Sequence, residues 1–233
     1  FYNLKENDEI VLTANAYKTI LAIYHQADNI DKEYDLLVEY LRVFKDDISL
    51  LIYKHALDFR LENFKDLDAF LKKEIDLNSL SFESYQQYIE LCFQREFYEK
   101  AFRLAYELRR KDYDNPGAHK LYLKLFFNRD QKSDLFKPNK DTLIDCAVSL
   151  EYEDKTKRTY IFENRTDPSL VKGELSVKDK LAEKIRHTIK NDSVFFKDDG
   201  LLEQKVKILE IKSKYIHAFH ECLNLDSRFI NRD

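Results

Sequence analysis

The chain has 233 residues and a net charge of −4; 35% of its residues are charged, 14% aromatic and 44% hydrophobic, with 3 Gly, 3 Pro, 3 Cys and no Met or Trp. Average usage would give about 16 glycines, so a Gly-rich phosphate loop, a dinucleotide fingerprint and a glycine-punctuated sandwich are excluded. The apolar content excludes disorder over most of the length, and no apolar run is long enough to span a membrane or act as a signal peptide.

The lack of Met, in a chain that starts Phe1-Tyr2-Asn3, reads as an excerpt of a longer product, which leaves open whether a further domain belongs to it. Residues 1–130 hold 19 Lys+Arg against 24 Asp+Glu, and residues 131–233 hold 20 against 19. Neither half has the strong positive excess of a nucleic-acid surface. Cys92, Cys146 and Cys222 are scattered and odd in number, which predicts reduced thiols in a cytoplasmic protein.

From Asn15 onward, apolar residues recur at helical spacing. Leu36, Leu37, Tyr40, Leu41 and Phe44 form one stripe; Phe82, Tyr85, Tyr88, Ile89, Cys92 and Phe93 form another. Polar breaks at 26–31, 45–47, 76–78 and 112–116 predict helices of 12 to 18 residues joined by tight turns. Tyr17, Leu51 and Tyr85 are 34 residues apart, as are Ile30, Phe64 and Tyr98, and Leu37, Leu71 and Ala105. That is the tetratricopeptide period. The third unit resembles this repeat most, with Tyr98-x-x-Ala101, Ala105 and Pro116; the first two carry Glu33 and Leu67 where Ala101 stands.

The polar stretch 128–142, with Pro138, predicts a linker between a helical domain over 1–135 and a second domain over 142–233. Cys146–Tyr152 and Arg158–Phe162 alternate apolar and polar residues and predict a β-hairpin. A short helix follows from Val177 to Ile185, with Ser176 as its N-cap. Strands are expected at Ser193–Phe196 and Val206–Ile211, and a last helix at Tyr215–Leu223. The fold class is therefore mixed: an all-α helical-repeat domain and an α+β domain. Gly117 opens the last helix of the repeat half, and Gly173 and Gly200 fall in turns that call for positive φ.

The stretch from Val148 to Ile211 resembles the C-terminal domain of Gre-type transcript cleavage factors, which is FKBP-like. The residues that carry the resemblance are Val148-Ser-Leu150, Tyr160-Ile-Phe162, Gly173-Glu-Leu-Ser-Val177, Leu181-Ala182, Asn191-Asp192-Ser193-Val194 and Ile208-Leu-Glu-Ile211, in that order. Lys178-Asp-Lys-Leu181 replaces the family's Ser-Pro-Leu-Gly, and Asn191 replaces a Gly. The family's catalytic acidic hairpin has no counterpart here. The resemblance thus implies the docking half of such a factor, contacting RNA polymerase, with Ser176, Val177, Lys178 and Asp179 as the candidate docking segment. The order of parts also resembles a bacterial architecture of tetratricopeptide repeats, a Gre-like domain and a PIN nuclease.

In the 34-residue register, Asn15, Ser49 and Glu83 form one row, Lys18 and Gln86 a second, and His25, Phe59 and Phe93 a third, flanked by Arg60 and Gln94. Stacked repeats turn such rows into a groove for a protein or peptide. His217, His220 and Cys222 cluster on the last helix, but no second ligand pair has zinc-type spacing, so neither metal nor cofactor is expected. The acidic pairs Asp46-Asp47, Glu153-Asp154 and Asp198-Asp199 lie in predicted turns, and no Ser or Cys has a nucleophile context; no catalytic residue is assigned. Basic residues from Lys155 to Arg186 are largely offset by interleaved acids, which favours a solvated face over a nucleic-acid groove.

These readings converge on a non-enzymatic adaptor with a helical groove and a Gre-like docking domain. The alternative is the regulatory part of a PIN-type nuclease from a conflict or defence system. A peptidyl-prolyl isomerase is a third reading, for which no aromatic-lined pocket can be placed.

Overall fold

The computed structural model describes residues 13–77, 79–128, 133–169, 172–197 and 203–230. Its chain divides into two compact units, Phe1–Ala101 and Phe102–Asp233. The second therefore takes in the stretch expected to link the two domains.

The helices are α1 (Ala14–Gln26), α2 (Ile30–Val43), α3 (Ile48–Arg60), α4 (Phe64–Leu71), α5 (Phe82–Gln94), α6 (Tyr98–Lys111) and α7 (Pro116–Phe127). Their first residues fall at 14, 48, 82 and 116 and at 30, 64 and 98, two series with a constant step of 34. Short polar side chains start them: Asn29 accepts from the Lys32 amide at 3.3 Å and Asp47 from the Leu50 amide at 3.1 Å. In the first unit α1 packs on α2, α2 on α3, and α3 on both α4 and α5. Tyr17, Leu21, Leu36, Leu37, Tyr40 and Leu57 form one of its cores. Tyr17 meets Tyr40 edge-on at 5.5 Å, and Tyr40 stacks on Phe44 at 4.7 Å.

The turns within the hairpins repeat as closely as the helices. Asp28, Glu62 and Glu96 are 34 residues apart and have φ of 49°, 58° and 63°. The amide after each reaches back to close the helix: Asn29 to Tyr24 O at 3.0 Å, Asn63 to Asp58 O at 2.8 Å, and Phe97 to Cys92 O at 2.9 Å. With the tighter bonds Asp28 to His25 O, Glu62 to Phe59 O and Glu96 to Phe93 O, these are three Schellman closures. An acid occupies the position that glycine fills most comfortably. Glu62→Gly and Glu96→Gly are each expected to raise stability by about 0.5–1 kcal/mol, relief of the left-handed strain outweighing the added chain entropy. Urea denaturation measures this; a loss in both variants would show that the acids hold the turns.

The second unit contains a sheet of β1 (Cys146–Tyr152), β2 (Lys157–Glu163), β3 (Glu174–Ser176), β4 (Ser193–Lys197) and β5 (Glu203–Ser213), with α8 (Lys180–Ile185) and α9 (Lys214–Ile230). Strand order is β3-β2-β1-β5-β4; β2 and β3 run parallel and every other neighbouring pair antiparallel. The expected hairpin is present as β1 and β2. β3 is an addition: three residues are too short to show a period. The pairing of β5 with β1 skips Leu209, a bulge that keeps Val206, Ile208 and then Ile211 on the core side. That core joins Cys146, Val148, Leu150 and Phe162 to Leu181, Ala182 and Ile185 of α8. Elsewhere α9 packs on α7, where Phe126 stacks on Phe219 at 3.7 Å and the Tyr122 hydroxyl donates to the Tyr215 carbonyl at 3.0 Å.

Gly173, which precedes β3, has φ of +72°, and a Cβ there would lie 2.8 Å from the Thr159 carbonyl oxygen. Strain and backbone clash together predict that Gly173→Ala costs about 2–4 kcal/mol; an unchanged melting temperature would refute this. Gly200 lies outside the described residues. Cys92 in α5, Cys146 in β1 and Cys222 in α9 are buried thiols. Burial pushes the Cys92 thiol up to about 12 and that of Cys146 to about 11. No helix among the described residues is long and apolar enough to cross a membrane.

Candidate functional site

The three rows expected to line a groove sit on α1, α3 and α5. Asn15 and Glu83 are exposed and Ser49 is half-buried. In the second row Lys18 pairs with Asp47 at 2.9 Å and Gln86 donates to Glu90 at 3.3 Å. The position between them in the register is Ile52, which is fully buried, so that row is interrupted. In the third row His25 is exposed, whereas Phe59 and Phe93 are half-buried and meet the first residue of the next helix, Phe64 at 5.9 Å and Tyr98 at 5.2 Å. Arg60 reaches Asp28 at 3.4 Å, and Gln94 is exposed. Tyr53 of α3 bonds His25 of α1 at 2.9 Å, so adjacent hairpins are stitched together on this side.

The first unit also holds buried charges, of which the repeat register had marked only Glu33, at the position of Ala101. Glu33 is 1% exposed and accepts from the Tyr53 hydroxyl, with His25 at 3.2 Å. Asp58 is fully buried: Tyr34 donates to it at 2.8 Å, Lys54 at 2.7 Å and Asn63 at 3.1 Å. His55 Nδ1 lies 2.7 Å from the same carboxylate, out of line for a hydrogen bond. Burial, with the Lys54 ammonium second, outweighs Asp58 and lowers His55 to about 4, so its ring is neutral at neutral pH. The legible trace was Lys54 four residues before Asp58 on a helix, which marks a pair and not its burial.

The segment Ser176, Val177, Lys178 and Asp179 runs from the end of β3 to the start of α8. The helix cap is Asp179, which accepts from the Leu181 amide at 2.8 Å, and not Ser176 as the pattern suggested. Pairing with Glu163 holds Ser176 in the strand, so α8 starts three residues later than expected. Val177 is buried, and Lys178 is exposed.

The cluster on α9 disperses. His217 faces Glu221 at 3.6 Å, His220 faces Lys212 at 3.3 Å, and Cys222 meets His119 at 3.3 Å. Among the described residues no three His, Cys, Asp or Glu side chains are grouped to hold a metal ion. Of the basic residues in the second unit, Arg165 is bound to Glu107 at 2.9 Å and Glu163 at 2.8 Å, and Arg158 lies over the Tyr152 ring at 5.4 Å. A scan against protein-family models finds no match, and a search of curated proteins finds no significantly similar sequence.

Proposed function

We propose that the chain is a cytoplasmic, non-enzymatic adaptor: a tetratricopeptide-like array that binds a protein segment, joined to a Gre-like, FKBP-like domain that docks on RNA polymerase. The observation that carries the first half is the constant 34-residue step of the helix starts, with Schellman closures ending α1, α3 and α5. Arrays of identical step present one continuous face to an extended partner. The second half rests on the ordered resemblance from Val148 to Ile211, with Lys178 as an exposed charge on the docking segment.

The direct test is capture of the full chain by purified, immobilised bacterial core RNA polymerase. Binding in the micromolar range is expected, and Lys178→Glu should weaken it by about tenfold or more. No capture at about 100 µM would remove the transcription reading. Binding that falls by a factor of about 10³ or more between 50 and 200 mM salt would assign the contact to nucleic acid. On the array, Phe93→Ser should keep the helical circular-dichroism spectrum; its collapse would make the ring core and not contact surface.

A further inference from the structure

Within the second unit lies a cavity of about 430 Å³, lined by Arg109 and Arg110 at the end of α6, Tyr113 in the turn after it, Lys172 and Glu174 at β3, and Glu221 of α9. This size suits a small organic molecule. Of its three acids, Asp114, Glu174 and Glu221, the two glutamates are already engaged. Glu174 takes both nitrogens of a fork from Arg110 at 2.7 and 2.8 Å and also the Ser169 amide at 2.8 Å. Glu221 is bound by Arg109 and faces His217.

The donors are in surplus. Arg109 is 3% exposed, yet its Nε–H finds no acceptor among the described residues. A buried guanidinium with an idle edge is costly unless something supplies the missing oxygen. Lys172, which is exposed, gives one hydrogen bond among the described residues, to the Arg110 carbonyl, out of three that an ammonium can make. Both cations flank one ring: the Arg109 guanidinium is 5.3 Å and the Lys172 ammonium 5.7 Å from the centre of Tyr113. The missing partner of the Arg109 Nε–H is therefore an acceptor oxygen, and an acceptor that carries more than one negative oxygen can also draw on Lys172.

The geometry points to a binding site for a small phosphomonoester, its phosphate oxygens taken by Arg109 and Lys172 and its organic part filling the rest of the cavity. Glu221 competes with that phosphate for Arg109. The site needs neither polymerase docking nor a segment bound along α1, α3 and α5.

Calorimetric titration of the full chain with inorganic phosphate, with adenosine monophosphate and with succinate is the test. Millimolar or tighter binding of the nucleotide is expected, weaker binding of inorganic phosphate, and none of succinate. Lys172→Met should weaken nucleotide binding about ten- to a hundredfold, the effect of one charged hydrogen bond. Glu221→Gln leaves Arg109 without its carboxylate and should melt earlier, a loss that added phosphate restores. In the wild type the Arg109 Nε–H proton resonance, assigned through Arg109→Lys, should move on titration. No heat and no resonance shift at about 10 mM of either phosphate overturns the proposal, as does binding that Lys172→Met leaves unchanged. Equal binding of succinate would reassign the site to carboxylates and overturn the phosphate assignment.

Discussion

Asp58→Ala is expected to lower the stability of the first unit by about 3–5 kcal/mol, because it strands the half-buried Lys54 ammonium and removes the acceptor of Tyr34 and Asn63. Asp58→Asn keeps the shape and two of the donors, so its loss should be smaller. Urea denaturation followed by circular dichroism separates the two, and equal small losses would show that the cluster is solvated. The same cluster sets a pH dependence through His55. Its folded pKa of about 4 lies below the unfolded value of about 6.5. The unfolded chain therefore binds the extra proton first, and stability falls as pH drops from about 6.5 to 4, by about 3 kcal/mol over that window. His55→Phe should flatten that slope; an unaltered slope would place its origin elsewhere.

Glu163→Ala is the counterpart in the second unit, with an expected loss of about 3–5 kcal/mol. Glu163 is 2% exposed, and accepts from Lys214 at 2.7 Å and Arg165 at 2.8 Å. Lys214 also holds Asp145 at 2.8 Å and lies 4.4 Å from the centre of the Tyr106 ring, so the mutation leaves a buried ammonium short of one counter-ion. Burial pushes the Glu163 carboxyl up, but Lys214 and then Arg165 outweigh it and hold it below its ordinary value. A depressed carboxylate stabilises at every pH above the unfolded value, about 4.3, and that contribution is lost as pH falls through the folded value. Acid should thus weaken the first unit between pH 6.5 and 4 through His55 and reach the Glu163 cluster only below about 4, while His119 and His217, lowered chiefly by burial, give the second unit a loss of its own below about 6.5. Acid transitions unchanged in both variants would refute the assignment.

What could be read in advance followed from periods. Alternation over Cys146–Tyr152 marked the first hairpin strand to the residue, and the 34-residue spacing of Ile30, Phe64 and Tyr98 fell on the first residue of three helices. The turns at 61–63 and 95–97 went unmarked because Glu62 and Glu96 do what glycine usually does, and no composition signal attaches to a left-handed acid. Ser176 looked like a cap because local pattern favours Ser before an apolar run, whereas a three-residue parallel pairing with β2 decided the matter. The repeat register suggested a continuous second row, but Ile52 is packed inside. The buried charges and the cavity were illegible for a different reason. Glu163 meets Lys214 across 51 positions, and the cavity draws Arg109 and Glu221 from 112 apart. No period records pairings of that range.

The three buried thiols give the molecule an internal clock. Cys92 belongs to the first unit and Cys146 and Cys222 to the second, and the raised pKa of Cys92 and Cys146 keeps them protonated and slow to react while closed. Labelling by a thiol reagent therefore waits for opening. In one sample without denaturant, the site-resolved rates of alkylation report how often each unit comes apart, and whether the two do so together.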